Sequence, residues 1–310
     1  MKKATLIYNP VAGRRPVKRE RQIRSAAEVL AASGLDLKLT ATSGPGDATI
    51  LARRAVDEGA DLVLACGGDG TVNEVLNGLV PGTATLGIFP GGTANIIGKE
   101  LHLPHHPARA AQELPRWKPR RIALGRATWT DTTSGEPRSR VFISVAGVGF
   151  DAYVVHSLSW SLKMGWGVVG YGLEAVRQAL RYSFPPFRFV MDGQEREATF
   201  AVVHRTGHYA GWFPLAPTAD LFKPDFTACL FKSSSRARYF LYAAGVILRQ
   251  HLRFSDVELV DGLKVTCTPV QSGKPIHFEL DGELVGQLPA TFEILPDALT
   301  VLVPKLETKN

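Results

Sequence analysis

The first third of the sequence repeats one pattern four times: a short apolar run, a loop containing glycine, and a stretch with helical periodicity. The four units begin ATLIYNPVAGRR, LDLKLTATSGPGDA, DLVLACGGDGT and TLGIFPGGTAN. In the third unit, one helix face is marked by Val72, Val75, Leu76 and Leu79. Strands that alternate with helices through right-handed crossovers form a parallel sheet, and ligands gather at the carboxyl ends of its strands. We expect all four glycine loops at those ends.

After the Pro- and Arg-rich segment 103–121, the sequence changes to short runs rich in β-branched and aromatic residues. Asp-Gly pairs at 192, 261 and 281 punctuate these runs and indicate tight hairpins. Helical stretches around 162–182 and 236–252 interrupt them. We therefore predict a three-layer α/β domain with a parallel sheet at 1–121 and a β-rich, sandwich-like domain at 122–310.

Residues 65–79, ACGGDGTVNEVLNGL, place glycines around one carboxylate at a strand-to-helix junction. Glycines there let backbone N–H groups approach an anion, and the positive end of the helix dipole favours that anion. The Asp69 carboxylate would repel bare phosphate, so its presence implies a bridging cation, most simply Mg²⁺. We interpret the loop as a site for a polyphosphate and its metal. The alternative left open is a tight turn in which Asp69 caps the helix.

Basic residues are concentrated near the N-terminus, although the 310-residue chain carries a net charge of only +7. Residues 1–30 contain eight basic and two acidic side chains. Such a segment suits a phosphate-bearing partner, whether nucleotide, anionic lipid or nucleic acid. A solvated helix face with a basic excess explains it equally well.

Cysteine usage and hydropathy bear on the compartment. Three widely spaced cysteines without a CxxC motif disfavour a disulfide framework and a zinc site, and they favour a reducing compartment. The N-terminal apolar stretch is too short for a signal peptide. The apolar run at 239–248 has about half of the roughly 20 residues that a membrane span needs. We therefore expect a cytoplasmic protein, with any membrane contact peripheral, at the inner face of the plasma membrane.

Five motifs occur in order along the chain: NPVAG at 9–13, TSGPGDA at 42–48, GGDGTVNEVLNG at 67–78, PGGTAN at 90–95 and ELDGE at 279–283. Together they resemble the diacylglycerol kinase catalytic-domain family, specifically its soluble bacterial lipid kinases, which also include relatives of sphingosine and ceramide kinases. The motif GGDGT alone also resembles NAD kinase and 6-phosphofructokinase, so the ordered set carries the specificity. The resemblance implies an ATP-dependent lipid kinase whose active site lies in the cleft between the two domains. The expected acceptor is diacylglycerol, which would give phosphatidic acid.

The resemblance also implies roles for individual residues. An acid of the family's DGE motif deprotonates the acceptor hydroxyl, and this acid corresponds to Glu283, with Asp281 beside it. Asp69 joins them as the metal-directed member of the catalytic set. A plain hairpin is the alternative for Asp281-Gly282, because the other two Asp-Gly pairs need no chemistry. The implied ATP-contacting residues are Asn9, Pro10, Val11, Ala12, Gly13, Thr42, Gly67, Gly68, Asp69, Gly70, Thr71, Val72, Asn73 and Thr93.

One segment departs from the family pattern. The family often follows LAP with a loop that ends in Asp-Gly and holds a structural Mg²⁺ through one carboxylate and neighbouring carbonyls. This chain reads LAPTADLFKPDFTACLF at 215–231, which keeps Asp225 but replaces the glycine with Phe226. The resemblance implies Asp225 as a metal ligand, with the carbonyls of Phe222 and Thr227 as co-ligands, and the departure leaves open whether the metal is present.

Segments 159–180 and 236–252 are candidates for surfaces that meet acyl chains or the bilayer, with helix-on-sheet packing as the alternative. We expect no nucleic-acid partner, and the sequence allows a homodimer. Two other functions stay open: an NAD kinase, which shares GGDGT, and a catalytically silent regulator that binds nucleotide or membrane. NPVAG and NEVLNGL favour the lipid kinases over NAD kinase, and the presence of all three catalytic acids weighs against the regulator.

Overall fold

The computed structural model describes residues 3–13, 16–150, 152–153, 177, 181–209, 213–271 and 275–305. The chain divides into two compact units, one formed by Met1–Ile122 with Asp297–Asn310 and the other by Ala123–Pro296. Residues 297–310, which the sequence analysis assigns to the second domain, fall in the first unit, because the end of the last strand pairs with a strand there. Among the described residues, no helix is both long enough and apolar enough to span a bilayer.

A parallel sheet forms the centre of the first unit, and the four predicted repeats supply its strands. These are β1 (Lys3–Tyr8), β2 (Asp36–Ala41), β3 (Leu62–Gly67) and β4 (Thr85–Pro90). They lie in the order β2-β1-β3-β4, all parallel. A further parallel strand, which the sequence analysis did not predict, comes from β16 (Ala290–Val303), whose Thr300 and Val301 pair with β4.

Helices cover this sheet in the predicted three-layer arrangement. They are α1 (Pro16–Ala32), α2 (Asp47–Asp57), α3 (Asp69–Leu79), α4 (Ile96–Glu100) and α5 (Pro107–Glu113). Right-handed crossovers place α1 on one face of the sheet and α2 and α3 on the other. The packing of α2 against α3 and of α1 against α5 agrees with this placement. The predicted apolar face of α3 is buried throughout.

The second unit is mainly antiparallel and forms the predicted β-sandwich. Its strands, besides β16, are β5 (Lys118–Thr130), β6 (Pro137–Phe142), β7 (Val145–Gly149), β8 (Phe187–Met191), β9 (Gln194–Ala198), β10 (Phe200–His204), β11 (Phe226–Phe231), β12 (Val257–Gly262), β13 (Lys264–Pro269), β14 (His277–Leu280) and β15 (Glu283–Gln287).

These strands form two sheets. One sheet has the order β12-β11-β10-β7-β14-β15, and in the other β16 pairs with β13 and β5, β13 with β8, β8 with β9, and β5 with β6. Phenylalanine rings from the two sheets meet in the core: Phe142 of β6 stacks on Phe226 of β11, and Phe278 of β14 lies edge-on to Phe292 of β16.

Two of the three predicted Asp-Gly hairpins are present. Asp192-Gly193 joins β8 to β9 and Asp281-Gly282 joins β14 to β15, and all four residues have φ between 47° and 86°. Positive φ at both central residues is the type I′ pattern that matches the twist of paired strands. The third prediction is wrong: Asp261 and Gly262 lie within β12, and the chain then crosses to the other sheet to form β13.

The second predicted helix of this half forms α6 (Arg236–Ile247), followed by a 3₁₀ turn at His251–Arg253. Its inner side packs on an aromatic cluster, in which Tyr242 contacts Phe231 and Tyr239 stacks on Phe184. The helix predicted at 162–182, and the segment 159–180 with it, lies outside the described residues, apart from 177 and 181–182.

Candidate functional site

In the first unit, the glycine loops meet where the strand order reverses. The chain goes from β1 outward to β2, and then returns past β1 to β3, so the carboxyl ends of β1 and β3 form the topological switch point of the sheet. Open α/β sheets bind ligands at such points. The loop after β1 contacts the carboxyl end of β3 there, because the Asn9 N–H donates to the Cys66 carbonyl at 3.1 Å.

The loops after β3 and β4 approach each other so closely that only glycine is compatible with the geometry. The Gly91 N–H donates to the Gly67 carbonyl at 2.7 Å. A Cβ atom on Gly92 would lie 2.5 Å from the Gly68 Cα, well inside contact distance. Gly13, in the loop after β1, has φ of +82°, and a Cβ there would come within 3.2 Å of the Gly91 carbonyl oxygen. The loops after β1, β3 and β4 are therefore in mutual backbone contact, which brings their N–H groups into one region.

Asp69 is the first residue of α3, but its carboxylate caps a different helix. Its Oδ1 accepts the N–H of Ile96, the first residue of α4, at 2.7 Å. Burial lowers the pKa of Lys99, also on α4, and the nearby Asp69 charge opposes that shift. The predicted capping alternative is thus realised in a modified form: Asp69 caps α4 and thereby joins the loop after β3 to the loop after β4.

The residues predicted to contact ATP differ in exposure. Val11 and Thr93 are exposed, and Asn9, Pro10, Ala12, Gly13, Thr42, Gly68, Asp69 and Gly70 are half-buried. By contrast, Gly67, Thr71, Val72 and Asn73 are buried. The Asn73 side chain lies inside the unit and accepts the side-chain amide of Asn77 at 3.2 Å. Val72 and Asn73 thus pack α3, whereas the half-buried and exposed positions line the loop surface.

Glu74, within GGDGTVNE, has a positioning role that the sequence analysis missed. Its carboxylate accepts the Gly46 N–H at 2.8 Å and the Ala48 N–H at 3.1 Å, at the N-terminus of α2. The Thr49 hydroxyl donates to the Glu74 carbonyl at 2.8 Å. A carboxylate at a helix N-terminus satisfies free N–H groups and complements the dipole. Glu74 therefore fixes the TSGPGDA loop, which contains Thr42, against α3.

In the second unit, Asp281 clamps the start of β7. Its Oδ1 accepts the N–H groups of Ser144 and Val145 at 2.8 and 3.0 Å, and its Oδ2 accepts the Ile143 N–H at 3.0 Å. Asp192 makes the same kind of contact at the other hairpin, where it accepts the N–H groups of Leu263 and Lys264, both at 2.9 Å. Asp281 is buried and Asp192 is exposed. The predicted hairpin at Asp281-Gly282 is therefore present, and the Asp281 carboxylate organises the adjacent strand.

Glu283 begins β15 directly after that turn. Its Oε2 accepts a hydrogen bond from the Arg140 guanidinium at 2.6 Å, and both side chains are partly exposed. This ion pair fixes the position of the Glu283 carboxylate at the start of β15. The sequence analysis missed Arg140, because the two residues are 143 positions apart and meet only through the fold.

A polar cluster adjoins the Asp281 clamp. The hydroxyls of Ser144 and Thr206 lie 2.9 Å apart, and the Nδ1 of His204 is 3.1 Å from the Thr206 carbonyl oxygen. Burial lowers the pKa of His204 to about 3, so the ring is neutral near pH 7. Its Nε2 is buried without a hydrogen-bond partner among the described residues.

The loop expected to hold a structural Mg²⁺ surrounds an arginine instead. The buried Arg205 guanidinium donates from one terminal nitrogen to the carbonyls of Lys223 and Asp225, at 2.6 and 2.5 Å. The other terminal nitrogen donates to the Leu221 carbonyl at 2.7 Å and the Ala123 carbonyl at 3.2 Å. Metal ligands would be carbonyl and carboxylate oxygens of this same loop. A divalent cation beside the guanidinium would be repelled by its charge and would compete with it for three carbonyls of this loop, so the site does not fit a metal.

Of the three residues predicted as metal ligands, Asp225 contacts Arg205, and Phe222 and Thr227 make hydrogen bonds with other residues. Asp225 contributes its carbonyl to Arg205. Burial lowers the pKa of that guanidinium to about 10, and the charge of Asp225 opposes the shift. The Phe222 N–H donates to Asp220 at 2.9 Å. Thr227 lies in β11, and its hydroxyl donates to Asp261 at 2.6 Å.

Comparison with known proteins extends these observations to the whole chain. Residues 3–127 match the model of the diacylglycerol kinase catalytic domain, and residues 144–303 match the YegS C-terminal NAD kinase beta sandwich-like domain. A protein of Staphylococcus aureus (strain MRSA252) named diacylglycerol kinase is 30% identical over 307 residues, 98% of this chain and 93% of that protein. One of Staphylococcus carnosus (strain TM300) with the same name is 29% identical over 313 residues, 100% of this chain and 97% of that protein.

Solved structures show the same fold. A diacylglycerol kinase from Bacillus anthracis str. Sterne superposes with a TM-score of 0.74 at 24% identity, covering 97% of both chains. Yeast NADH kinase complexed with NADH is more distant, with a TM-score of 0.52 at 10% identity over 99% of this chain and 84% of that one. At these sequence identities, the two structures support the fold and nothing further.

Proposed function

Because the chain belongs to the diacylglycerol kinase family and is a phosphotransferase of the kinase type, we propose that it transfers the γ-phosphoryl group of ATP to the hydroxyl of diacylglycerol, which gives phosphatidic acid. The observation that carries the proposal is the similarity, over nearly the full chain, to relatives that bear the diacylglycerol kinase name. Selectivity for the acceptor depends on the shape of its pocket, and the acceptor panel below tests the assignment of diacylglycerol.

ATP binds at the joined glycine loops of the first unit. The backbone N–H groups of the loops after β1, β3 and β4 bind the phosphates. The glycines of these loops have no Cβ, so the phosphates can approach the backbone closely. Asp69 lies at the junction of two of these loops and is the residue that would hold the nucleotide's Mg²⁺. When bound, Mg²⁺ supplies neutralisation of the charge on the transferring phosphoryl group.

Glu283 is the proposed general base toward the acceptor hydroxyl. Arg140 holds its carboxylate in one orientation, and partial exposure leaves the group accessible to a ligand. Asp281 acts one step removed, because its two oxygens are hydrogen-bonded to the backbone of 143–145. It positions the turn that carries Glu283. Phosphoryl transfer depends mainly on positioning and charge stabilisation, so one correctly placed base suffices as the proton acceptor.

The acceptor requires the enzyme to work at a lipid surface. Diacylglycerol resides in membranes, so the proposal includes peripheral contact with an anionic bilayer at the inner face of the plasma membrane. The basic N-terminal segment stays a predicted contributor, and its residues 14–15 lie outside the described part of the chain.

The test is transfer of radiolabel from γ-labelled ATP into a panel of acceptors in mixed micelles: diacylglycerol, monoacylglycerol, ceramide, sphingoid base, undecaprenol and, in aqueous solution, NAD. We expect label in phosphatidic acid. Label in another lipid would identify that lipid as the acceptor of the same kinase reaction. Label in NADP would show that the protein phosphorylates NAD instead. ATP binding without transfer to any acceptor would favour a silent regulator.

A further inference from the structure

Large apolar side chains are exposed along α6 and the turn that follows it. They are Phe240, Leu241, Ile247, Leu248 and Leu252, which we name the α6 apolar surface. Elsewhere in the described residues, exposed large apolar side chains are scattered singly along the chain. A cluster of them within one short segment is unusual for a surface that faces only water.

Contacts on the opposite side of α6 keep the α6 apolar surface facing away from the core. On the inner side of α6, the Tyr239 hydroxyl lies 2.8 Å from that of Thr199, and the Tyr242 hydroxyl donates to Asp256 at 2.6 Å. Arg238 forms a two-point ion pair with the same carboxylate, at 2.6 and 2.8 Å. These contacts set the rotation of the helix. The exposed side chains are therefore a stable feature of this helix.

The basic residues around the α6 apolar surface favour an anionic partner. Residues 226–255 contain five basic side chains and no Asp or Glu. Arg249 and Arg253 are exposed at the C-terminal end of the α6 apolar surface. Apolar side chains flanked by arginines are typical of helices that lie in the interface of an anionic bilayer. We propose that the α6 apolar surface docks the protein onto anionic lipid bilayers, a role that rests on the proposed function because it brings the enzyme to its membrane-borne acceptor.

The test uses matched pairs of exposed side chains. Ile247 and Leu241 are 66% and 51% exposed within the surface, whereas Ile50 and Leu263 are 65% and 55% exposed outside it. Co-sedimentation with vesicles of phosphatidylcholine and phosphatidylglycerol measures binding of the variant Leu241→Ser/Ile247→Ser against the control Ile50→Ser/Leu263→Ser. We expect at least a tenfold loss of binding in the first and less than a twofold change in the control. Wild-type binding should weaken as salt rises and on vesicles of phosphatidylcholine alone.

Equal binding by both double variants would overturn the docking role. So would a wild-type dimer in light scattering that becomes monomeric only in Leu241→Ser/Ile247→Ser, since the surface would then join two copies of the chain. Phosphorylation of a dispersed short-chain diacylglycerol by the wild type reports on the proposed function separately. Vesicle binding through α6 without that activity would support the docking role and contradict the proposed function. Activity on the short-chain lipid without vesicle binding through α6 would support the function and contradict the docking role.

A second inference comes from the Arg205 contacts and is independent of the first. Three carbonyls of residues 220–225 accept hydrogen bonds from one guanidinium, and the charges of Asp225 and Asp220 act on it favourably. A planar guanidinium with several N–H donors can satisfy oxygens that would otherwise need a cation. We infer that Arg205 replaces the structural metal ion in this chain. The 220–225 loop is thereby ordered without a divalent cation.

Thermal unfolding of the nucleotide-free protein tests this inference. The wild-type melting temperature should be the same in EDTA and in millimolar Mg²⁺. Arg205→Met removes the charge and the donors while it keeps an unbranched apolar stem. We expect the melting temperature to fall by at least about 5 °C, because several buried carbonyls lose their partners. Arg188→Met is the control, since Arg188 is an exposed arginine paired with an exposed Glu195, and its melting temperature should stay near that of the wild type.

A fall in the wild-type melting temperature on chelation, reversed by Mg²⁺, would overturn the inference. One tightly bound Mg²⁺ per chain in metal analysis would do the same. Both measurements use the wild-type protein, so they decide the question even if Arg205→Met does not fold.

Discussion

Replacement of Asp281 by asparagine should destabilise the second unit far more than the same change at Asp192. Both residues lie at the first position of an Asp-Gly turn, with φ of 50° and 47°, a conformation that asparagine tolerates well. The backbone cost is therefore small and equal at the two sites. Any difference in stability must come from the side-chain hydrogen bonds.

The contacts give the expected magnitude. Asparagine at 281 keeps one oxygen for the N–H groups of Ser144 and Val145, but it turns an NH₂ group toward the Ile143 N–H that Oδ2 accepts. One charge-assisted bond is lost and a buried donor is left unsatisfied, at a cost of about 2–4 kcal/mol. At exposed Asp192, water can replace the lost acceptor, so the cost should be about 1 kcal/mol or less.

Thermal unfolding followed by circular dichroism compares the two variants. A unit of the size of Ala123–Pro296 loses roughly 2–4 °C in melting temperature per kcal/mol, so Asp281→Asn should melt clearly below Asp192→Asn. Equal melting temperatures would refute the clamp and would return Asp281 to a direct role in catalysis.

Three further predictions concern single residues. Asp69→Asn should keep the capping bond to the Ile96 N–H and so melt like the wild type, yet lose several orders of magnitude in turnover; retention of more than about a tenth of the activity in a steady-state assay would remove the metal-directed role. Glu74→Gln should raise the KM for ATP several-fold more than it lowers kcat, because the amide can accept only one of the two N–H groups of α2; an unchanged KM would mean that the TSGPGDA loop needs no such support. His204→Gln should flatten the pH dependence of the free energy of unfolding, measured by chemical denaturation. Between pH 6.5 and about 3 the unfolded chain binds a proton at His204 that the native chain does not, so wild-type stability should fall with falling pH by up to about 1.4 kcal/mol per pH unit. Equal slopes in the two proteins would contradict this.

Local patterns were sufficient to predict the parts of the fold in which each element buries an apolar run. β8 and β11, with the sequences FRFVM and FTACLF, are short apolar runs of the predicted kind, and the four parallel strands β1–β4 follow the four repeats. The strand β9, QEREA, was missed because charged residues dominate it and only pairing with β8 makes it a strand. The parallel pairing of β16 with β4 joins residues more than 200 positions apart, and no local signal encodes it.

The candidate site divides in the same way. Glycine loops at strand ends could be predicted, because only glycine, which has no Cβ, lets a ligand or another loop approach the backbone so closely. The partners of the charged groups could not, since Arg140, Glu74 and Arg205 look like ordinary surface residues until the fold brings their acceptors and donors together. The same holds for Asp69, whose capping contact is with a helix 27 positions away.

The most direct test of the central claim is the rate at which label from γ-labelled ATP enters phosphatidic acid, measured for the wild type and for Glu283→Gln. The matched control is Glu195→Gln, since Glu195 is also an arginine-paired glutamate just after an Asp-Gly turn, 2.9 Å from Arg188. We expect label in phosphatidic acid with the wild type and the control, and a kcat lower by roughly 10²–10⁴ in Glu283→Gln with little change in ATP affinity. Failure of the wild type to label the lipid would contradict the proposed reaction, and equal rates for both glutamate variants would contradict the assignment of Glu283 as its base.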